Sequence, residues 1–165
     1  MSFVIQPQWW LQVCILGVGA TLILDAWWWL LKRMFSVASL DFRLVGRWLG
    51  HMPAGRFRHA AIGSTPAVRG ELWLGWGFHY VTGIAFAAGF VSIAGEQWLH
   101  SPRFLPALVF GVTTVVLPFF IMQPCLGAGV AASKLPSPWR ARLKSLVTHS
   151  VFGLGLYLSA LLHLG

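Results

Sequence analysis

Asp25 stands inside an apolar run, Trp9 to Leu31, that is long enough to cross a bilayer. A carboxylate in hydrocarbon is costly, so a spanning segment that carries one normally supplies a partner or a task for it. Three further apolar runs bring polar side chains of their own: His79 and Thr82, then Gln123, then His149, while Thr21 lies one turn before Asp25. Asp25 with His79 and His149 has the composition of a two-histidine, one-carboxylate metal site. The same groups can pass protons near neutral pH. Equally, they can form a hydrogen-bonded set that locks helices together with no substrate at all. Spread over three helices, they lack the local spacing that makes a motif such as His-Glu-x-x-His decisive. Ser-x-x-Lys, a glycine-rich phosphate loop and paired catalytic carboxylates are all missing, so the sequence points away from an enzyme, marks no catalytic residue and calls for no cofactor.

The elements that must position these groups follow from composition. With 165 residues, 57% hydrophobic and 10% charged, the chain cannot present a soluble surface. A helix needs ~20 largely apolar residues to cross ~30 Å of hydrocarbon. Stretches at about 10–31, 72–94, 104–126 and 146–164 qualify. Barrel strands alternate apolar and polar positions, whereas these runs are apolar on every face. The expected fold is an all-α integral membrane protein, a four-transmembrane-helix bundle forming one membrane domain over 1–165, with loops at 32–71 and 127–145.

Charge placement orients the bundle. Eleven of the twelve Lys and Arg residues fall in or beside those two loops, and only Arg103 lies on the other side. Cytoplasmic loops retain Lys and Arg, so both termini should face outward and the two basic loops inward. The +8 net charge is thereby a topology signal rather than a sign of nucleic-acid binding. Trp9, Trp10 and Trp98 fall at outer boundaries, and Trp27, Trp28, Trp29, Trp73 and Trp76 near inner ones, as interfacial belts do. Cys14 and Cys125 fall near opposite ends of their spans, too far apart for a disulfide.

The first loop is too long to be structureless. Ser39 can cap a short amphipathic helix through Leu49 that lies in the membrane interface, with Arg43 and Arg47 one turn apart. Gly50, Pro53 and Gly55 end it. Ser137 followed by Pro138 reads as the start of the last helix, which places Arg140, Arg142 and Lys144 at head-group level. Arg43, Arg47, Arg56, Arg58, Arg140, Arg142 and Lys144 are the expected contacts to anionic lipid, with His51 and His59 nearby. Membrane lipids are the expected partners, together with a second copy of the chain or a membrane complex.

A rise of ~1.5 Å per helical residue puts Asp25 and His79 about 10 Å inside the inner boundary, and Gln123 and His149 roughly 5 Å inside it. Each span thus contributes one polar residue to a single layer. Cys14, Gly17, Thr21 and Asp25 share one helical stripe. Gly75, His79, Thr82 and Phe86 share a second, and His149, Gly153, Tyr157 and Ala160 a third. Gly17, Gly19, Gly75, Gly83, Gly153 and Gly155 are candidates for close backbone approach. Pro118 and Pro124 should kink the third span, since neither can bond back to Thr114 or Phe120.

Several of these stretches together carry a resemblance. Gly17-Val18-Gly19-Ala20-Thr21 with Asp25-Ala26-Trp27, Gly46-Arg47-Trp48-Leu49-Gly50-His51, His79-Tyr80, Pro118 through Pro124 and Ser145 through Tyr157 resemble an uncharacterised family of small bacterial inner-membrane proteins. It is a domain of unknown function with no established activity, and the likeness runs over nearly the whole chain. The resemblance implies one four-span unit in the plasma membrane and supplies no catalytic residues. Two functional readings remain. One is a small transporter or channel in which the Asp/His layer changes protonation. The other is a non-transporting accessory or scaffold protein that binds lipid or a partner complex. A membrane enzyme acting on a lipid head group ranks third.

Overall fold

The computed structural model describes residues 7–37 and 40–163, and among them the only regular structure is helical. In chain order the α-helices are α1 (Pro7–Phe35), α2 (Phe42–His51), α3 (Glu71–Ala94), α4 (Gln97–His100), α5 (Phe104–Thr113), α6 (Gln123–Cys125) and α7 (Pro138–His163). Four stretches are long and apolar enough to cross a membrane: Gln8–Phe35, Glu71–Ala94, Phe104–Cys125 and Pro138–Leu162. The first runs a turn beyond its expected end and places Lys32 and Arg33 in its last turn, where cations oppose the negative end of the helix dipole. The last begins at Pro138, so Arg140, Arg142 and Lys144 are helical.

Around the bundle the order is α3, α1, α7, then the third span. Val13, Leu16 and Ala20 of α1 pack against Phe90 and Val91 of α3 and against Phe152, Leu156 and Ala160 of α7. Apolar residues that face outward stay bare: Trp73 is 78% exposed and Ile93 79%, as suits side chains solvated by lipid tails. All six expected glycines lie against a neighbouring helix, α2 for Gly75 and another span for the rest. Two further glycines complete the tightest crossings. Gly111 of the third span lies against the backbone of Gly153 in α7, and Gly46 of α2 lies against the Glu71 carbonyl while Gly75 faces the Phe42 carbonyl.

That second crossing corrects the expected role of α2. Its amphipathic pattern is real, yet Val45 and Trp48 are buried within the protein rather than laid on lipid. Trp48 packs edge-on against Phe78 of α3 at 6.4 Å and donates its indole N–H to the Phe57 carbonyl at 2.9 Å. The cap is also different. Ser39 lies outside the described residues, and the observed N-cap is Asp41, whose carboxylate accepts the Arg43 N–H at 3.0 Å. Trp98 is corrected as well. Instead of floating at an interface it is buried in the core, 4.6 Å from the Phe90 ring, with its indole N–H given to the Arg103 carbonyl. Burial in the short α4, a helix the periodicity did not predict, satisfies both ends of that side chain.

The third span is broken where proline requires it. With no N–H on Pro118, the Thr114 carbonyl takes the Leu117 N–H at 3.1 Å, and the Val115 N–H turns to Val112. Pro118–Met122 then forms a π turn, in which the Gln123 N–H reaches five residues back to the Pro118 carbonyl. π turns of this kind are common at functional sites.

The α2–α3 crossing predicts the outcome of two substitutions. Gly46→Leu should lower stability by about 2–3 kcal/mol, because the obstacle is backbone that cannot move aside. Asp41→Ala should cost only about 1 kcal/mol, the value of one N-cap. Thermal unfolding in detergent measures both.

Candidate functional site

Near their far ends α3 and the third span touch, through Phe90 and Phe110 at 5.2 Å. Toward the two basic loops they diverge, and the space between them is a chamber of about 750 Å³. Leu24 and Trp28 of α1, Val45 and Trp48 of α2, Phe78 and Phe86 of α3, and Ile121 and Met122 of the third span make its wall mostly apolar. Polar atoms enter from Thr21, His79, Thr82, Gln123, Lys144, Ser145, Thr148 and His149. Binding cavities typically combine this size, an apolar lining and few polar groups. The first loop runs along one side of it: the His59 N–H bonds the Cys125 carbonyl at 2.9 Å and the Ile62 N–H bonds the Leu126 carbonyl at 3.0 Å.

Asp25 sits behind the chamber wall rather than in it. One carboxylate oxygen accepts from His79 Nε2 and the other from the Tyr80 hydroxyl, each at 2.9 Å. Both Asp25 and His79 are largely buried. Phe42 of α2 packs at a tilt against the His79 ring at 4.4 Å and against the Trp76 ring at 4.6 Å. The carboxylate therefore ties α1 to α3, while the aromatic contacts tie α3 to α2. The equal depth expected of Asp25 and His79 is what brings them together.

The remaining members of the expected layer do not join them. His149 pairs through Nδ1 with Thr114 Oγ1 at 2.7 Å, and Gln123 Nε2 donates to Ser145 Oγ at 3.2 Å, so each ties the third span to α7. Thr21 gives its hydroxyl to the Gly17 carbonyl within α1 at 2.7 Å. Thr82 lines the chamber. A three-ligand site built from Asp25, His79 and His149 is thereby corrected: two of them meet, the third is committed across the bundle, and among the described residues no three His, Cys, Asp or Glu side chains are grouped to hold a metal. Position around the bundle depends on which helices are neighbours, and α7 packs on the third span.

The model of the family described as a protein of unknown function, DUF2938, matches residues 14–163. The chain belongs to that family. Among curated proteins and among solved structures no match is found.

In this DUF2938 protein two site residues escaped the sequence reading. Tyr80 follows His79 directly, and successive helical residues point about 100° apart, so a stripe drawn through His79 excludes it. Its signal is the hydroxyl itself, which needs a partner inside an apolar helix. Thr114 lies in a third-span stretch where threonines are ordinarily bonded to their own helix.

The first loop shows a second omission. Arg47 donates Nε and Nη2 to the two carboxylate oxygens of Glu71, both at 2.9 Å, and Nη1 to the carbonyls of Ile62, Gly63 and Thr65. Hydrogen bonding to Glu71 raises the Arg47 pKa above its usual value. This arginine organises the loop from within. Arg142 similarly gives Nε to the Ala131 carbonyl at 2.8 Å. Arg43, Arg56, Arg58 and Arg140 are exposed at the same end, and Lys144 lies 5.1 Å from the Trp28 ring.

Two outcomes test these geometries. Asp25→Leu leaves the His79 N–H and Tyr80 O–H donors unpaired and should cost about 2 kcal/mol, whereas Tyr80→Phe alone should cost about 1 kcal/mol. Replacing all three with Leu, Leu and Phe should recover part of the loss in the same detergent melts. Arg47→Met should speed trypsin cleavage after Arg56 and Arg58, because the loop loses the residue that holds three of its carbonyls.

Proposed function

We propose that this DUF2938 chain is a small multi-pass carrier of the bacterial plasma membrane that takes an amphipathic solute into the chamber at its basic end. The chamber carries this reading: about 750 Å³ of mostly apolar space with polar groups confined to a few side chains suits a molecule with a chain and a head. The divergence of α3 from a third span broken at Thr114–Met122 supports it, since broken helices line substrate sites in transporters. The placement of eleven of the twelve basic residues supports a cytoplasmic position for that end and a periplasmic one for both termini. Exposed Arg43, Arg56, Arg58 and Arg140 fit anionic lipid head groups there. In this reading Asp25 holds the helices and does not touch the solute.

The test is exchange of NBD-labelled lysophosphatidylglycerol between the leaflets of vesicles that contain the purified protein, followed by dithionite quenching. Vesicles with the natural chain should exchange the probe. Ala141→Trp, which fills the chamber from α7, should return the rate toward that of protein-free vesicles. Natural protein that behaves like empty vesicles would overturn the proposal.

A further inference from the structure

The break in the third span has a chemical consequence for the chamber wall. In an unbroken helix the Gly111 carbonyl would accept the Val115 N–H, but that N–H is turned to Val112. The Gly111 oxygen instead accepts the Thr114 N–H at 3.2 Å and the Thr114 hydroxyl at 2.6 Å. Two oxygens that close require the proton between them, and a threonine hydroxyl has one proton. At the 2.7 Å contact between Thr114 Oγ1 and His149 Nδ1, the histidine must therefore be the donor. Nε2 of the neutral ring is then left with a lone pair, on a side chain that lines the chamber and with no protein partner among the described residues.

The neighbouring side chain has the same polarity. Thr148 also lines the chamber and gives its proton to the Lys144 carbonyl, 2.7 Å away in its own helix, so it too offers only lone pairs. Two adjacent acceptors in an apolar wall are complementary to a ligand that donates. An ammonium donor is disfavoured by the positive charge of Lys144, one turn earlier on the same helix and part of the same wall. A hydroxyl carries the donor without the charge.

We infer that Thr148 and His149 form the head-group subsite for a hydroxyl-bearing single-chain amphiphile, with His149 Nε2 accepting a ligand hydroxyl and Thr114 acting as the positioning residue that sets the histidine tautomer. The inference rests on the chamber being a binding site and adds to it the chemistry of what is bound. The apolar chain occupies the space between α3 and the third span, and the alcohol end lies against α7.

The test measures binding of 1-monooleoylglycerol, methyl oleate and oleylamine to the full-length protein by native mass spectrometry. The natural chain should bind monooleoylglycerol about tenfold more tightly than methyl oleate, the effect of one good hydrogen bond, and should disfavour oleylamine. His149→Phe should abolish the preference and keep methyl oleate binding, whereas His149→Gln, which retains an acceptor, should keep part of the preference. Thr114→Val should weaken monooleoylglycerol alone. In histidine-labelled protein, ¹⁵N NMR should show His149 protonated at Nδ1 in the natural chain and a tautomer mixture in Thr114→Val, a change that a purely structural role for Thr114 would not produce. Equal binding of monooleoylglycerol and methyl oleate, or a preference that survives His149→Phe, would overturn this inference and leave the chamber reading intact. Failure of all three probes to bind would overturn both.

Discussion

Hydrocarbon offers no hydrogen bonds, and that constraint organises the polar part of this molecule. Asp25 has both carboxylate oxygens occupied, by His79 and Tyr80. Thr21, Thr114 and Thr148 each return a proton to a carbonyl of their own segment. The same rule that removes donors from the apolar phase leaves lone pairs at Thr148 and His149 of the chamber wall. A requirement of folding thus sets what the cavity can recognise.

Packing supplies the second constraint. Helices in lipid gain little from burying one apolar surface against another, so association depends on close contact of small residues. Gly111 with Gly153, and Gly46 with Gly75, bring backbones together at two crossings. Elsewhere Phe90 and Phe110 hold α3 and the third span together at one end only. Between the tight crossings and the proline-broken segment a void remains, and it is bounded by the amphipathic helix α2, whose apolar face turns into the protein.

Much of this was legible along the chain. Apolar runs marked the four spans, and proline marked the break in the third. Depth along the membrane normal paired Asp25 with His79. The errors share one cause. Hydrophobic pattern and depth are one-dimensional, whereas the angular placement of a side chain depends on which helices become neighbours. His149 was placed by depth beside Asp25, yet it faces Thr114 because α7 packs on the third span. Arg47 has the pattern of a lipid-facing cation, yet Glu71 and three loop carbonyls reach it first. Trp98 has the position of an interfacial residue, yet α4 folds it under Phe90.

The sequence by itself determined the class, the spans, the break at Pro118 and the need for a partner at Asp25, because each follows from local composition or from the cost of a single group in hydrocarbon. Only the tertiary structure decided who the partners are, that α2 closes on α3, and that a chamber opens between α3 and the third span. Those features depend on contacts between residues far apart in sequence, where a glycine, a redirected N–H or one hydroxyl proton selects among arrangements that the linear pattern leaves equivalent.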